Sequence, residues 1–65
     1  MVVNQLNEVR LAYRVSQALR LQARHARHMC ERARARGDYY AADWHAAGWR
    51  SLLIEAIAVE AQARS

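Results

Sequence analysis

The sequence predicts an all-α chain: an antiparallel two-helix hairpin that pairs with a second copy into a homodimeric four-helix bundle. Three observations carry this expectation. The chain has no proline, and its glycines are Gly37 and Gly48 alone. Strong helix formers (alanine, arginine, leucine, glutamine, glutamate) dominate on both sides of Gly37, and nothing alternates with a strand's period of two. Apolar residues also exceed what two helices can cover between them, so a partner surface is implied.

The first helix is expected over about 5–36, with Asn4 as its N-cap. At heptad spacing Val2, Val9, Ser16, Ala23 and Cys30 form one row, and Ala12, Leu19, Ala26 and Ala33 the next. Leu6 and Tyr13 widen this seam at its N-terminal end. Small residues towards the turn allow close backbone approach, while bulk gathers at the far end. Gly37 suits the left-handed position that closes the helix, and Asp38 can cap the next one at once. A link this short folds the chain into an antiparallel pair.

The second helix is expected over about 39–63 and is apolar nearly all round. Tyr40, Trp44, Ala47, Ser51, Ile54, Ala58 and Ala61 make one row. Tyr39, Ala42, Ala46, Trp49, Leu53 and Ala56 make a second, well over a quarter-turn away, and Leu52 and Val59 lie outside both. Tyr40 and Trp44 are expected to pack inside, and Tyr39 and Trp49 to make intermolecular contact, since Trp and Tyr are rich in binding hot spots. With the turn at 37–38, residue i faces about residue 75 − i, which sets Ala12 opposite Ala63. The first helix then outreaches the second by roughly 10 Å. That overhang carries Val2, Val3, Leu6 and Val9. A twofold dimer covers both the overhang and the spare face.

Composition bounds the rest. Sixty-five residues make at most one small domain (1–65), with too little core to be comfortable alone. One cysteine, Cys30, allows no intrachain disulfide and fits a reducing, cytoplasmic setting. No basic-then-apolar leader is read at the start, and no apolar run reaches membrane length. All ten basic residues are arginine, and alanine is the commonest residue, as in a GC-rich bacterial or phage genome. Residues 1–36 hold eight arginines against Glu8 and Glu31, a net of +6. Residues 37–65 hold Arg50 and Arg64 against Asp38, Asp43, Glu55 and Glu60, a net of −2. Such a division favours mutual attraction or different partners for the two halves.

The segment RHARHMCERARAR, 24–36, poses the chemical question. His25 and His28 stand one turn apart, a spacing that can chelate, but Cys30 lies about 140° or more away around the helix. We read no metal site and no cofactor. Ser16 and Ser51 sit on helix seams without a base in place, and no paired carboxylates or phosphate loop occur, so no catalytic residue is assigned and the chain reads as not an enzyme. Arg20, Arg24, Arg27 and Arg34 form a band with His28, extended loosely by Arg10 and Arg14. Arginines contact phosphates readily, but a solvated helix face with an Arg27–Glu31 pair has the same pattern, and no aromatic interleaves it.

Two unequal helices joined by Gly37-Asp38 within 65 residues resemble, as a plan, the Rop family of plasmid-copy-number regulators. The likeness is architectural, with no motif shared residue by residue. It implies a hairpin dimer. Members of that family bind paired RNA loops with one helical face, but without a shared motif RNA binding does not carry over, and Arg20, Arg24, Arg27 and Arg34 are the nucleic-acid contacts of the alternative reading alone. The plan is also similar to phage-encoded anti-quorum-sensing and anti-activator hairpins that dock on a host transcription regulator, and to hairpin co-chaperones of type III secretion. GDYYAADWHAA, 37–47, resembles the middle of a tetratricopeptide repeat, although the first helix is too long for one. The function expected is a small non-enzymatic bacterial or phage regulator that inhibits or sequesters a host protein by steric occlusion. That partner would present an acidic or apolar surface. Val2, Val3, Leu6, Tyr39 and Trp49 would anchor it and Arg20, Arg24 and Arg27 steer it. Alternatives are a Rop-like RNA- or DNA-binding dimer and a secretion co-chaperone.

Overall fold

A computed structural model of the chain describes residues 2–64, with side chains described over 6–64. Helix propensity runs unbroken to the glycine, and α1 occupies Val2–Ala35. It starts earlier than expected, so Asn4 stands inside the helix and is not its N-cap. Nothing in the residues before it, neither proline nor glycine, would stop the helix there. Helix α2 follows after three residues and occupies Tyr39–Arg64.

The reversal is built from backbone bonds that the Gly-Asp pair makes possible. Gly37 takes φ +79°, a left-handed conformation that costs an L-residue with a Cβ about 1–2 kcal/mol. In that geometry the Asp38 N–H donates to the Ala33 carbonyl at 2.9 Å and the Gly37 N–H to that of Arg34 at 3.0 Å. These two bonds form a Schellman closure, which satisfies carbonyls that the end of α1 would otherwise leave open. Arg36 falls in the turn, its N–H shared between the carbonyls of Arg32 and Ala33. Asp38 then caps α2: its Oδ1 accepts from the Ala41 N–H at 3.1 Å while its carbonyl accepts from Ala42. One residue thus ends the first helix's bonding and begins the second's.

The helices run antiparallel, as the pairs they make along their length require. Ser16 meets Glu60, Arg27 meets Trp49, and Cys30 clusters with Ala46. The register is one residue beyond the expected 75 − i. The Cα trace extends 54 × 15 × 9 Å, so the molecule is a flat rod, and its length is near the ~51 Å of a straight 34-residue helix.

Its interior is made of small side chains. Ser16, Ala23, Cys30 and Ala33 of α1 are buried against Ala42, Ala46 and Ala56 of α2. Ser16 is the largest side chain fully buried among the described residues. Ser16, Ala23 and Cys30 recur every seven residues, the period that keeps one seam facing an antiparallel neighbour. Here the expected packing of α2 is corrected. The row of Ala42, Ala46 and Ala56 faces α1, while Tyr40 and Trp44 point outwards at 86 % and 70 % exposure, and Ile54 of their row at 68 %. The reason is volume: methyl-sized side chains on both seams let the helices approach closely, and rings on that line would hold them apart. Trp49, expected on an outer surface, is half-buried at the edge of the seam against the Cys30–Ala33–Ala42–Ala46 cluster. Tyr39 belongs to the same row but lies exposed beside the turn.

Candidate functional site

At ~100° per residue, Arg20, Arg24 and Arg27 fall on one flank of the Ser16–Ala23–Cys30 row, and Leu19 and Ala26 on the other. The hairpin therefore has two unlike broad faces, one basic and one apolar.

On the basic face Arg20, Ala23, Arg24, Arg27, Trp49 and Leu53 line a shallow groove. Its arginines are unequally committed. Arg20 makes a two-pronged pair with Glu60: Nε donates to Oε2 and Nη2 to Oε1, both at 2.9 Å. The buried Ser16 hydroxyl donates to the same Oε2. These donors, Arg20 first, then Ser16, hold the Glu60 carboxyl at a pKa of about 2 rather than the usual 4.5, against a smaller upward push from desolvation. Glu60 in turn raises the already high pKa of Arg20. Arg27 lies 5.7 Å from the centre of the Trp49 ring and 3.5 Å from Glu31, and Arg50 lies 5.9 Å from the same ring. Trp49 is thus flanked by two guanidinium groups, a contact worth ~0.5–1 kcal/mol at exposed sites. Arg24 and Arg34 are exposed and have no hydrogen-bond or ion-pair partner among the described residues.

On the apolar face Ala26, Trp44, His45, Ala47, Gly48, Ser51 and Leu52 line a depression between the helices. Leu19, Met29 and Val59 on that side are half-buried, and the Trp44 ring meets His45 edge-on at 5.2 Å. Further along the rod, Val9, Ala12, Tyr13, Ala63 and Arg64 border a groove where α2 ends and α1 continues. Ala12 and Ala63, expected opposite each other, both border that groove, although the observed register shifts the pairing by one residue towards Arg64.

The other sequence-predicted residues fall as follows. Leu6, on the overhang, is exposed, and Val2 and Val3 lie outside the residues whose side chains are described. His25 and His28 line an open groove on α1 with Leu21, Gln22 and Arg24, whereas Cys30 is buried in the seam. Among the described residues no three His, Cys, Asp or Glu side chains gather as a metal would need, and no helix is long and apolar enough to cross a membrane. The structure thus brings Arg20, Arg27 and Trp49 together on one face, with Arg24 beside them, and leaves Tyr39 near the turn and Leu6 at the far end of the rod.

Sequence reasoning missed the Ser16–Glu60–Arg20 network. Its signal was present: a lone hydroxyl on an otherwise apolar row needs a partner when buried, and the pairing rule places residue 59 or 60 opposite Ser16. It also missed the bare backbone at Gly48 within the apolar depression. Compared with protein-family models, curated proteins and solved structures, the chain matches none.

Proposed function

We propose that this chain is a small non-enzymatic regulatory protein that self-associates into a four-helix bundle and acts by binding another protein, which it inhibits or sequesters by occlusion. One observation carries the reading: the interior holds alanine, serine and cysteine, while Tyr40, Trp44 and Ile54 stand outside. A soluble fold that turns its large apolar side chains outwards along a continuous face reserves them for other macromolecules. The arginine face then provides steering towards an acidic surface, and the exposed Arg24 and Arg34 are the residues available for it. Arg20 serves the hairpin through Glu60, so reversing it would test folding rather than recognition.

The test is recovery of a host partner on the immobilised wild-type chain and on a variant carrying Arg24→Glu and Arg34→Glu. The reading expects a discrete partner whose recovery drops sharply with the variant. Equal recovery of the same partner removes the arginines from the mechanism, and recovery of none rejects the reading.

A nucleic-acid-binding dimer is the second reading, favoured by the +6 balance over residues 1–36. Two arginines of the expected contact set, Arg20 and Arg27, are already engaged within the chain, which weighs against it. Binding of structured RNA or duplex DNA at low salt, falling steeply as salt rises, would establish it. Blank filters at low salt would dismiss it.

A further inference from the structure

The chain exposes 5370 Å². A compact monomer of 7.5 kDa is expected to expose about 4,250 Å², so this one carries roughly 1,100 Å² more. A stable protein interface removes about 800 Å² from each partner. The excess is thus about what one such interface would cover.

Charge decides which face. The basic face carries Arg20, Arg24, Arg27 and Arg50 against Glu31 and Glu60, so it keeps a positive surplus on Arg24 and Arg50, and stacking it on its own copy would set those like charges together. None of the residues lining the depression on the apolar face, from Ala26 on α1 to Leu52 on α2, is an aspartate, glutamate or arginine.

Gly48 locates the contact. A glycine inside a helix costs about 1 kcal/mol relative to alanine. The hairpin does not require it, because a Cβ built at Gly48 meets no atom within 4 Å. What the glycine does is open a notch: it lies one turn from Trp44 and one turn from Leu52, with Ala26 across the groove. Bare backbone between two large side chains suits the close approach of another helix.

We propose that a second copy of this chain docks on this face, with α2 crossing α2 of the second copy at Gly48 in antiparallel sense. A twofold axis through that point seats Trp44 of each copy beside Leu52 of the other, so each ring covers the other's notch. The inference rests on the self-association proposed above and adds the face, the crossing point and the orientation.

The test combines sedimentation equilibrium with single-cysteine cross-linking on the full chain. Gly48→Leu puts a better helix former where the hairpin has room, so helix content is expected to hold or rise while self-association weakens at least ~30-fold, as for a hot-spot contact. In a Cys30→Ala background, a cysteine at Ser51 is expected to cross-link between copies with a short bifunctional maleimide, and one at Arg24 not to. If Gly48→Leu associates like wild type, or Arg24 cross-links in place of Ser51, the chain still dimerises but not through this face, and this inference alone falls. A wild-type chain that stays monomeric at every concentration overturns the self-association reading together with it. The same follows if a foreign helix proves to be the occupant, protecting Ser51 in a one-to-one complex.

Discussion

Replacing Ala33 with leucine probes whether close packing of small side chains holds the hairpin together. Ala33 is fully buried, with Cys30, Ala42 and Ala46 around it, and its carbonyl accepts the bond that closes the turn. Leucine adds three carbons. Buried without strain they would contribute about 0.8 kcal/mol each. No room exists for them on the seam, so the helices must separate, and overpacking of this kind costs about 1–3 kcal/mol. A core of this size supplies no more than about 3–5 kcal/mol, so the loss is a large share. At ~4–8 °C per kcal/mol for so small a domain, the melting temperature should fall by roughly 5–25 °C. Thermal melts followed by far-ultraviolet circular dichroism, at one fixed protein concentration because association contributes, read this directly. The companion Ala35→Leu changes an exposed position on the same helix and should move the midpoint little. Equal midpoints for Ala33→Leu and wild type would show that the seam is loose and would refute close approach as the reason large side chains are turned outwards.

Other perturbations test other parts of the account. Glu60 sits at about 2 rather than 4.5, so it contributes stability above its ordinary value that is lost as pH falls from about 4.5 towards 2. Glu60→Gln should therefore be less stable than wild type at neutral pH, with the gap closing near pH 2; a gap independent of pH would argue against the carboxylate's role. Gly37→Ala should cost about 1–2 kcal/mol through the left-handed turn, and Asp38→Ala about 1 kcal/mol through the lost cap, both measured by urea denaturation. Trp49→Ala should lower the melting temperature at every protein concentration, because Trp49 packs within its own chain. Trp44→Ala should lower it only where wild type is associated, and identical behaviour of the two variants would contradict the assignment of their faces.

The hairpin was legible because its signals are local. An unbroken run of helix formers, one Gly-Asp pair and no proline leave few other ways to fold, and the turn uses Gly37 and Asp38 in the expected roles. The register came within one residue because the tight turn sets it. What the sequence hid was which of two apolar rows on α2 faces α1. Heptad spacing reports where apolar residues recur, and both rows recur. The choice rests on volume, through Ala42, Ala46 and Ala56 against the small seam of α1, and periodicity is blind to volume. The Arg20–Glu60 pair escaped for a different reason, since it joins side chains forty residues apart and depends on a register known only to within a residue. Arg20 consequently looked like part of a uniform basic band, whereas its charge is spent inside the hairpin.

Equilibrium sedimentation of the unmodified chain across a wide concentration range tests the account most directly. Exposed rings over a core of methyl groups should drive association, giving a species of twice the 7.5 kDa chain mass at micromolar concentration. A single 7.5 kDa species at all concentrations, melting cooperatively by itself, would show that the hairpin needs no other surface and would contradict the central claim.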